Sequence, residues 1–562
     1  MSTPAELYES HRELLERATR AAVERDYWSA FPESPSKSIY GEDAAPSGER
    51  AFTALLGATF PVDVPGAVGT VSTEHSPYGM ELGLSYPRAD PLALVAAARA
   101  TIPSWRAVGP RGRAGIAVEI LRRINARGFE LAHAVQHTTG QAFVMAFQAG
   151  GPHAQDRALE AIAFALSAAV RMPSTSSWTK PQRGGDPLAM TKTGTVVGRG
   201  VALVIGCTTF PTWNSYPGLF ASLVTGNPVI VKPHPGAVLP LAITVQVCRE
   251  VLAEAGLNPD VVTLAAEEPG DGIAATLATH PDVRIVDFTG SSSFGDWLEA
   301  NARQAVVYTE KAGLNTVVLD STDDYRGLLR NLAFSLSLYS GQMCTTPQNL
   351  LIPRSGIDTD AGHRTPEEFG ADLATALGKL LGDPKRAAGT LGAIVNDGVL
   401  ARLAEAGGLP GVVSPSAEIA DEQFPGATIR TPVVLRLAAA DEKLYTREWF
   451  GPVSFLITTD DTGHSLRILT ETVRAHGALT ALVHSSSPSV LTAAREAALD
   501  AGVHLSENLT GGVFVNQTAA FSDLHGTGAN PAATASLTDD YFVTGRFFTL
   551  QSRHHVPSTP TA

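Results

Sequence analysis

Residues 200–235 read GVALVIGCTTFPTWNSYPGLFASLVTGNPVIVKPHP, and this stretch decides the fold. Two short apolar runs rich in β-branched residues, 201–205 and 229–231, are separated by a stretch of helical character. Continuous apolar strands that alternate with helices are typical of a parallel sheet covered on both faces. Lys232 follows the second run directly, so its ammonium is expected at the carboxyl end of a strand, where open α/β sheets bind ligands.

The same alternation recurs further along the chain and predicts a second α/β unit. The run 283–286 continues the first series, and later runs occupy residues 349–352, 432–435, 453–457 and 512–516. Since a single hydrophobic core rarely grows beyond about 250 to 300 residues, two α/β domains in succession are the simplest arrangement.

The region before residue 196 is predicted to be mainly helical. Apolar residues recur at helical spacing over 4–26, and the Ala-rich region from about 90 to 172 predicts two or three amphipathic helices. The Pro-, Ser- and Gly-rich stretch 32–48 is expected to be an extended surface segment.

The bulk composition excludes several classes of protein. The 562 residues carry a net charge of −14, which argues against a nucleic-acid or anionic-membrane partner because such surfaces need an excess of Lys and Arg. No run approaches the roughly 18 apolar residues of a membrane span, and the N-terminus lacks the apolar centre of a signal peptide. Cys207, Cys248 and Cys344 form no CxxC pair, so we expect no disulfide, no metal site and a cytoplasmic location.

Two side chains in the second half of the sequence are candidates for chemistry on a carbonyl group. Cys344 lies in YSGQMCTTPQN and could be a nucleophile, although most free cysteines are packing residues. Glu310 lies in VVYTEKAGLN and could be a general base for water, or a solvated loop carboxylate beside Lys311.

A second group of residues is suited to binding a dinucleotide. Gly290 and Gly295 of FTGSSSFG could admit a pyrophosphate near a helix N-terminus, or could form a tight turn. Glu448 in TREWFGPVSF could accept hydrogen bonds from ribose hydroxyls, or could form a salt bridge with Arg447 or another residue. Lys232 could face a ligand or be an ordinary surface lysine.

Taken in this order, the motifs resemble those of the aldehyde dehydrogenase superfamily from about residue 90 to 550. The matching segments are Thr209-Phe210-Pro211, Gly226-Asn227 with Lys232-Pro233, Phe288-Thr289-Gly290-Ser291, Glu310-Lys311-Ala312-Gly313, Gly341-Gln342-Met343-Cys344 and Glu448-Trp449-Phe450-Gly451-Pro452-Val453.

The resemblance implies an α/β fold of the aldehyde dehydrogenase type, with a Rossmann-type dinucleotide-binding domain, an α/β catalytic domain and a small β oligomerisation element. The implied boundaries are an N-terminal extension over 1–90, a dinucleotide-binding domain over 91–310, a catalytic domain over 311–528 and an oligomerisation strand with a tail over 529–562. An oligomerisation hairpin near 178–198 interrupts the second of these, and the last strand is expected to begin near Arg546.

The resemblance also implies a mechanism. Cys344 adds to an aldehyde, hydride passes to a nicotinamide, and Glu310 activates the water that hydrolyses the resulting thioester. Because the acylating branch of the superfamily generally lacks that glutamate, a free acid is the expected product. The residues expected to bind the cofactor are Thr208, Lys232, His234, Pro235, Gly290, Ser291, Gly295, Glu448 and Phe450.

The oxyanion-hole asparagine of the family is replaced here by Thr209. Loss of one oxyanion donor can cost on the order of 100-fold or more in rate, so another donor is needed. We rank the Thr209 hydroxyl above the Asn214 amide, beside the backbone N–H of Cys344.

A further departure bears on the cofactor. Many NAD-preferring members have a glutamate three residues after the lysine, where this chain has Pro235. Removing that carboxylate relieves repulsion with a 2′-phosphate, while Lys232 and His234 could supply positive charge. NADP is therefore expected first and NAD second.

The stretch RDYWSAFPESPSKSIYGEDA, with GCTTFPTWNSYPG and YSGQMCTTPQN, is similar to a group of the superfamily assigned to phenylacetate degradation. That likeness implies a semialdehyde coenzyme A thioester as substrate, a separate ring-opening hydratase as functional partner, and a homodimer or homotetramer. The alternatives are a coenzyme A-acylating or thioesterase-like enzyme that uses the same cysteine, and a catalytically silent binding or structural homologue.

Overall fold

The centre of the fold is a five-stranded parallel sheet built around residues 200–235. A computed structural model describes residues 2–311 and 313–557. In spatial order the strands of this sheet are Val262–Leu264, Val229–Lys232, Val201–Ile205, Val283–Gly290 and Val306–Lys311. Every residue of the strand Val201–Ile205 is buried, as expected of a strand covered on both faces. The predicted parallel sheet is confirmed.

A second sheet of seven strands follows along the chain. Its strands in spatial order are Val412–Ser414, Val433–Ala438, Val453–Thr459, Asn349–Pro353, Thr316–Leu319, Thr480–His484 and His504–Glu507. The first pair is antiparallel and the other pairs are parallel. The expected α/β class is therefore confirmed for both halves of the chain.

The strand predicted at 512–516 is wrong, and His504–Glu507 is the edge strand instead. Gly511 has a φ of +65° and begins a turn with Gly512. Val513 is 62% exposed and only Val515 of the apolar run reaches a hydrophobic core, so the run packs as a loop.

The N-terminal helix is confirmed as Pro4–Glu24, which begins with a capping box between Thr3 and Glu6. The extended segment predicted at 32–48 is wrong in part, because the helices Lys37–Tyr40 and Ala44–Leu55 occupy much of it. Pro46 lies in the first turn of the second helix, where its missing N–H costs nothing. The strands Ala67–Val71 and Tyr86–Ala89 form a small antiparallel pair.

The region from 90 to 172 contains more helices than the two or three predicted. Gly109 and Gly140 have positive φ angles of +74° and +82° and divide the apolar pattern, because a residue in this conformation ends a helix. The helices are Pro91–Ala107, Gly109–Ala126, Gly128–Thr139, Phe143–Gln148 and Ala154–Val170, with a π-turn at Ala149–His153.

A three-stranded antiparallel sheet projects from these layers. Its strands in spatial order are Phe547–Val556, Gly185–Gly198 and Thr175–Gln182. The sequence suggested that Arg546 begins the last strand, but Arg546 is not part of that strand. Its side chain is instead fully buried against the first sheet. There its guanidinium donates to the Asp287 carboxylate, with Nη1 2.8 Å from Oδ2.

The chain returns to the first sheet after the second is complete. Lys311 N donates to Ala532 O at 2.6 Å, and Thr534 N donates to Thr309 O at 3.0 Å. The segment 532–534 thus covers the outer edge of the strand Val306–Lys311. The predicted domain boundaries stay a prediction, and their residues 1, 312 and 558–562 lie outside the described ranges.

The remaining helices connect and cover these sheets. They are Pro211–Thr225, Leu239–Glu254, Pro259–Val261, Ile273–Ala278, Ser292–Asn301, Tyr325–Ser337, Leu338–Gly341, Pro366–Leu381, Pro384–Leu391, Asp397–Gly407, Glu442–Tyr445, Thr462–His476, Pro488–Ala501 and Asp540–Thr544. The remaining strands are Ser321–Thr322, Asp358–Thr359, Glu418–Ile419 and Ile429–Arg430. Across residues 2–311 and 313–557, no helix combines the length and the apolar character that crossing a membrane requires.

Candidate active site

A cavity of about 630 Å³ is lined by residues from both halves of the chain. It brings together the site residues expected from the sequence except Gly295. Those that line it are Thr208, Thr209, Asn214, Lys232, His234, Pro235, Gly290, Ser291, Glu310, Cys344, Glu448 and Phe450. The volume is in the range of natural ligand and cofactor sites.

Cys344 lies in a tightly held loop between two regular elements. The loop follows a left-handed turn over Tyr339, Ser340 and Gly341, which all have positive φ angles, and it leads into the strand Asn349–Pro353. The Asn315 amide donates from Nδ2 to Cys344 O at 2.8 Å and to Thr346 O at 3.1 Å. The backbone at Cys344 is therefore fixed to the start of the neighbouring strand.

Glu310 is near the end of the strand Val306–Lys311 and is 4% exposed. Asn214 Nδ2 donates to its Oε1 at 3.1 Å. Burial raises the pKa of Glu310, but the neighbouring side chains of His525, Cys344 and Asn214 together bring it below its usual value. Lys311 pairs with Asp296 and Glu299, so Glu310 is not a solvated carboxylate beside that lysine.

The electrostatics of Cys344 oppose ionisation of its thiol. Burial and the negative charge of Glu310 raise the pKa of Cys344 well above that of a free cysteine. A thiolate is the nucleophilic form, so this site needs a nearby proton acceptor.

The two oxyanion candidates have different surroundings. The Asn214 amide is engaged by Glu310, and its Oδ1 lies 3.7 Å from the sulfur of Cys207. Thr209 is half-buried in the cavity wall, where its carbonyl accepts from Gln141 Nε2 at 2.7 Å. The Asn214 amide nitrogen has a second N–H, so both side chains can reach the cavity, but only Asn214 is already committed to Glu310.

Lys232 is 4% exposed and is not an ordinary surface lysine. Its ammonium forms an ion pair with Glu267, which also accepts from Ile273 N at 2.9 Å. His234 lies at the rim of the cavity with one side open to solvent. Burial of its other side and the charge of Lys232 lower the pKa of His234, so the positive charge expected from it is absent at neutral pH.

The glycines of FTGSSSFG have separate roles. Gly290 and Ser291 line the cavity, and Ser291 is the N-cap of the helix Ser292–Asn301. A Cβ at Gly295 would lie 2.6 Å from Cδ of Lys311. Gly295 therefore makes room for that side chain, and the expected approach of a pyrophosphate to it does not follow from the structure.

Glu448 and Phe450 also line the cavity. Burial raises the pKa of Glu448 and the charge of Arg402 opposes this shift. Arg447 pairs with Glu405, with Nη1 2.7 Å from Oε1, so the alternative pairing of Arg447 with Glu448 is wrong. The Glu448 carboxylate faces the cavity.

Sequence reasoning missed three residues of this site. Glu267 follows the strand Val262–Leu264, and its place near a strand end was the available signal. Asn315 and His525 have no such signal, because each acts through contacts with segments that are distant in sequence.

The comparisons with known proteins agree with this arrangement. A model of the aldehyde dehydrogenase family matches residues 85–522, and the chain belongs to that family. A crystal structure described as an NAD-dependent aldehyde dehydrogenase from Burkholderia multivorans is 55% identical and has a TM-score of 0.97, covering 98% of this chain and 99% of the other.

More distant relatives share the fold or part of the sequence. A putative methylmalonate-semialdehyde dehydrogenase from Sinorhizobium meliloti, in complex with NAD, is 17% identical with a TM-score of 0.69, and covers 90% of this chain and 98% of the other. Alpha-ketoglutaric semialdehyde dehydrogenase 2 from Azospirillum brasilense is 32% identical over 49% of this chain. The match spans about half of that relative, 51% of its length.

Proposed function

We propose that the chain oxidises an aldehyde to a carboxylic acid through a thioester on Cys344, with a nicotinamide dinucleotide as the oxidant. The observation that carries the proposal is the position of Cys344 beside the buried carboxylate of Glu310, at a cavity that also contains Lys232 and a helix N-terminus. The 55% identical relative described as an NAD-dependent aldehyde dehydrogenase supports it.

Each residue has a distinct task in this reaction. Cys344 provides the sulfur that bonds to the aldehyde carbon, and Asn315 keeps its backbone in place. A bound nicotinamide dinucleotide supplies a two-electron acceptor for the oxidation step. Glu310 then takes a proton from water so that the hydroxide attacks the thioester, and the acid and the Cys344 thiolate are released.

We assign the oxyanion contact to the Thr209 hydroxyl and the backbone N–H of Cys344. Asn214 has a different task, because it donates to Glu310 and so fixes the orientation of the base. Thr209→Val should lower the rate of thioester formation by about 100-fold. Asn214→Ala should instead slow thioester hydrolysis, and a defect of both variants in the same step would contradict this division.

The proposed dinucleotide site consists of the Lys232–Glu267 pair, the helix N-terminus at Ser291, and Glu448 with Phe450. Pro235 favoured NADP, but Glu267 places a carboxylate beside Lys232 and would repel a 2′-phosphate. We therefore propose NAD as the preferred cofactor and NADP as the second candidate.

Cofactor choice can be tested at one carboxylate. Glu267→Gln should raise the ratio of kcat/KM for NADP to that for NAD by about tenfold or more, because the repulsive charge is removed. Glu268→Gln is the matched control, since Glu268 is the next residue in the chain and its side chain is exposed. An unchanged ratio in Glu267→Gln would remove Glu267 from the cofactor site.

For the substrate we propose an open-chain semialdehyde coenzyme A thioester of phenylacetate catabolism. Relatives that act on semialdehydes support the aldehyde class, and the N-terminal stretch 25–44 supports the narrower choice. A separate hydratase would then open the ring. Comparison of kcat/KM for a semialdehyde thioester with that for the free semialdehyde acid tests this choice, and a preference for the free acid would overturn it.

The assembly and location belong to the same proposal. The strand Phe547–Val556 presents Phe548 and Leu550 with 48% and 59% of their surface exposed, and such an edge invites pairing with another subunit. We expect a homodimer or homotetramer, which sedimentation measures directly. The three free cysteines fit a reducing compartment, so we propose a cytoplasmic location.

One experiment separates this function from its alternatives. In a single turnover, Glu310→Gln should give a burst of reduced dinucleotide followed by slow release of acid. Unchanged turnover would exclude Glu310 as the base, and transfer of the acyl group to added coenzyme A would favour the acylating alternative. If the protein forms neither reduced dinucleotide nor a Cys344 adduct with aldehydes, the silent-homologue alternative is correct.

A further inference from the structure

A buried imidazole adjoins the carboxylate and the thiol of the candidate site. His525 Nε2 lies 3.2 Å from Glu310 Oε1, and each side chain is 5% exposed. One carboxylate oxygen of Glu310, the Cys344 sulfur and one ring nitrogen of His525 all lie within 4.8 Å of one another. The reaction proposed above assigns no task to this histidine.

We propose that His525 is the proton acceptor that activates Cys344, with Glu310 as the relay. The Sγ–H proton passes to Glu310, and the Glu310 proton passes to Nε2 of His525. The products are a thiolate, a carboxylate and an imidazolium, so charge and protons balance. This inference rests on the proposed function, because it concerns the same nucleophile.

The geometry of Glu310 suits a relay. Its Oε1 is shared by Asn214 and His525, and its Oε2 has no hydrogen-bond partner among the described residues. The contact of Nε2 with Oε1 has the distance of an ion pair but not the angle of a hydrogen bond. A small rotation of the imidazole ring would complete the transfer path.

The His525 ring is held in place by aromatic and backbone contacts. Its edge packs against Trp213, with ring centroids 4.8 Å apart at 76°. Before His525 in the chain, Asp523 O accepts a hydrogen bond from Arg157 Nη1 at 2.9 Å. After it, Gly526 O lies 2.9 Å from His504 Nε2. The ring therefore cannot swing away without displacing its segment.

The Glu310 carboxylate and the Cys344 thiol are the titratable groups closest to His525. Arg157 contacts the Trp213 ring that packs on the imidazole, and His504 contacts the backbone of the same segment. Asp523 lies two residues before His525 in the chain. Glu310 is therefore the charged group in direct contact with the ring.

The test measures Cys344 ionisation without any aldehyde or dinucleotide. We would follow alkylation of Cys344 by iodoacetamide between about pH 6 and about pH 10, with the modified peptide identified by mass spectrometry. Burial and the Glu310 charge alone would confine reaction of the Cys344 thiol to high pH, so transfer of its proton to His525 should show as reaction of the wild type near neutral pH. His525→Asn and His525→Phe should both move the inflection upward by about one pH unit or more, which is about a tenfold loss of rate at neutral pH.

The two variants separate proton transfer from positioning. Asparagine can still donate to Glu310 but cannot accept the proton, so restoration of the wild-type profile by His525→Asn would overturn the proposal. His504→Asn is the control for packing of the segment, and it should leave the inflection unchanged. An equal shift in His504→Asn would mean that packing alone is responsible.

The wild-type protein alone still tests the proposal if neither His525 variant folds. Wild-type Cys344 that reacts only above the pKa of about 8.5 of a free cysteine would overturn it directly. The outcome is also distinct from the fate of the proposed function. A shifted alkylation profile in a protein that oxidises no aldehyde would keep the thiol activation and remove the dehydrogenase reaction.

Discussion

Asn315→Ala is the variant that most directly tests how the Cys344 loop is held. The buried Asn315 amide donates to the carbonyls of Cys344 and Thr346, and its Oδ1 accepts from Leu479 N at 3.0 Å and from Thr480 N at 3.1 Å. One side chain thus ties the Cys344 loop to the start of the strand Thr480–His484.

The structure supplies a matched control of the same size. Asn331 is also buried, but its amide makes one hydrogen bond, from Nδ2 to Val513 O at 2.6 Å, and its Oδ1 has no partner within the described ranges. Both alanine variants remove the same atoms, so the cavity terms nearly cancel. At about 0.5–1.5 kcal/mol per net hydrogen bond, Asn315→Ala should lose about 1.5–4.5 kcal/mol more than Asn331→Ala.

Urea unfolding of the two variants at equal protein concentration measures this difference. Asn315→Ala should also lower kcat/KM by up to about 100-fold, because a small displacement of the nucleophile is costly. Equal unfolding midpoints for Asn315→Ala and Asn331→Ala would refute the reasoning.

Three further predictions concern stability. Arg546→Met should lower the free energy of unfolding by about 3–5 kcal/mol, because Asp287 is left buried without its partner. Arg495→Met breaks a more exposed pair with Glu507 and should lower it by no more than about 1 kcal/mol. Similar urea midpoints for the two variants would contradict this contrast. Burial lowers the pKa of His484 to about 4 from 6.5, so stability is retained above pH 6.5 and falls by about 3 kcal/mol as the pH drops to 4. His484→Leu should flatten that part of the profile of unfolding midpoint against pH, and an unchanged slope would argue against a buried neutral ring. A Cβ at Gly341 would lie 2.4 Å from Gly451 O, whereas a Cβ at Gly184, which has a similar φ, would meet open space. Gly341→Ala should therefore lower the urea midpoint of unfolding much more than Gly184→Ala does. Equal midpoints for the two variants would contradict the steric argument.

Much of the fold was predictable because buried parallel strands are continuous apolar runs. The strand Val201–Ile205 and its neighbours were placed in this way. The run 512–516 also has an apolar centre but forms a loop, since glycines at its start favour a turn. Composition alone does not distinguish the two cases.

The site was predictable in part, for a physical reason. Cys344 and Glu310 belong to local motifs, so the sequence indicated them before the structure brought them together. The partners that set their proton affinities come from elsewhere: Asn214 from a helix of the first half, and His525 from the segment beyond the second sheet. No spacing rule connects such residues, because only the tertiary fold makes them neighbours.

The return of residues 532–534 to the strand Val306–Lys311 has a consequence for folding. Until that segment docks, the strand exposes unpaired N–H and C=O groups along one side, and such an edge can pair with another chain. A fragment that ends after the first sheet should therefore aggregate, and it also lacks the part of the first hydrophobic core that residues 520–543 supply. The first half becomes resistant to aggregation only after the chain has passed through the second half, so the two halves are not independent folding units.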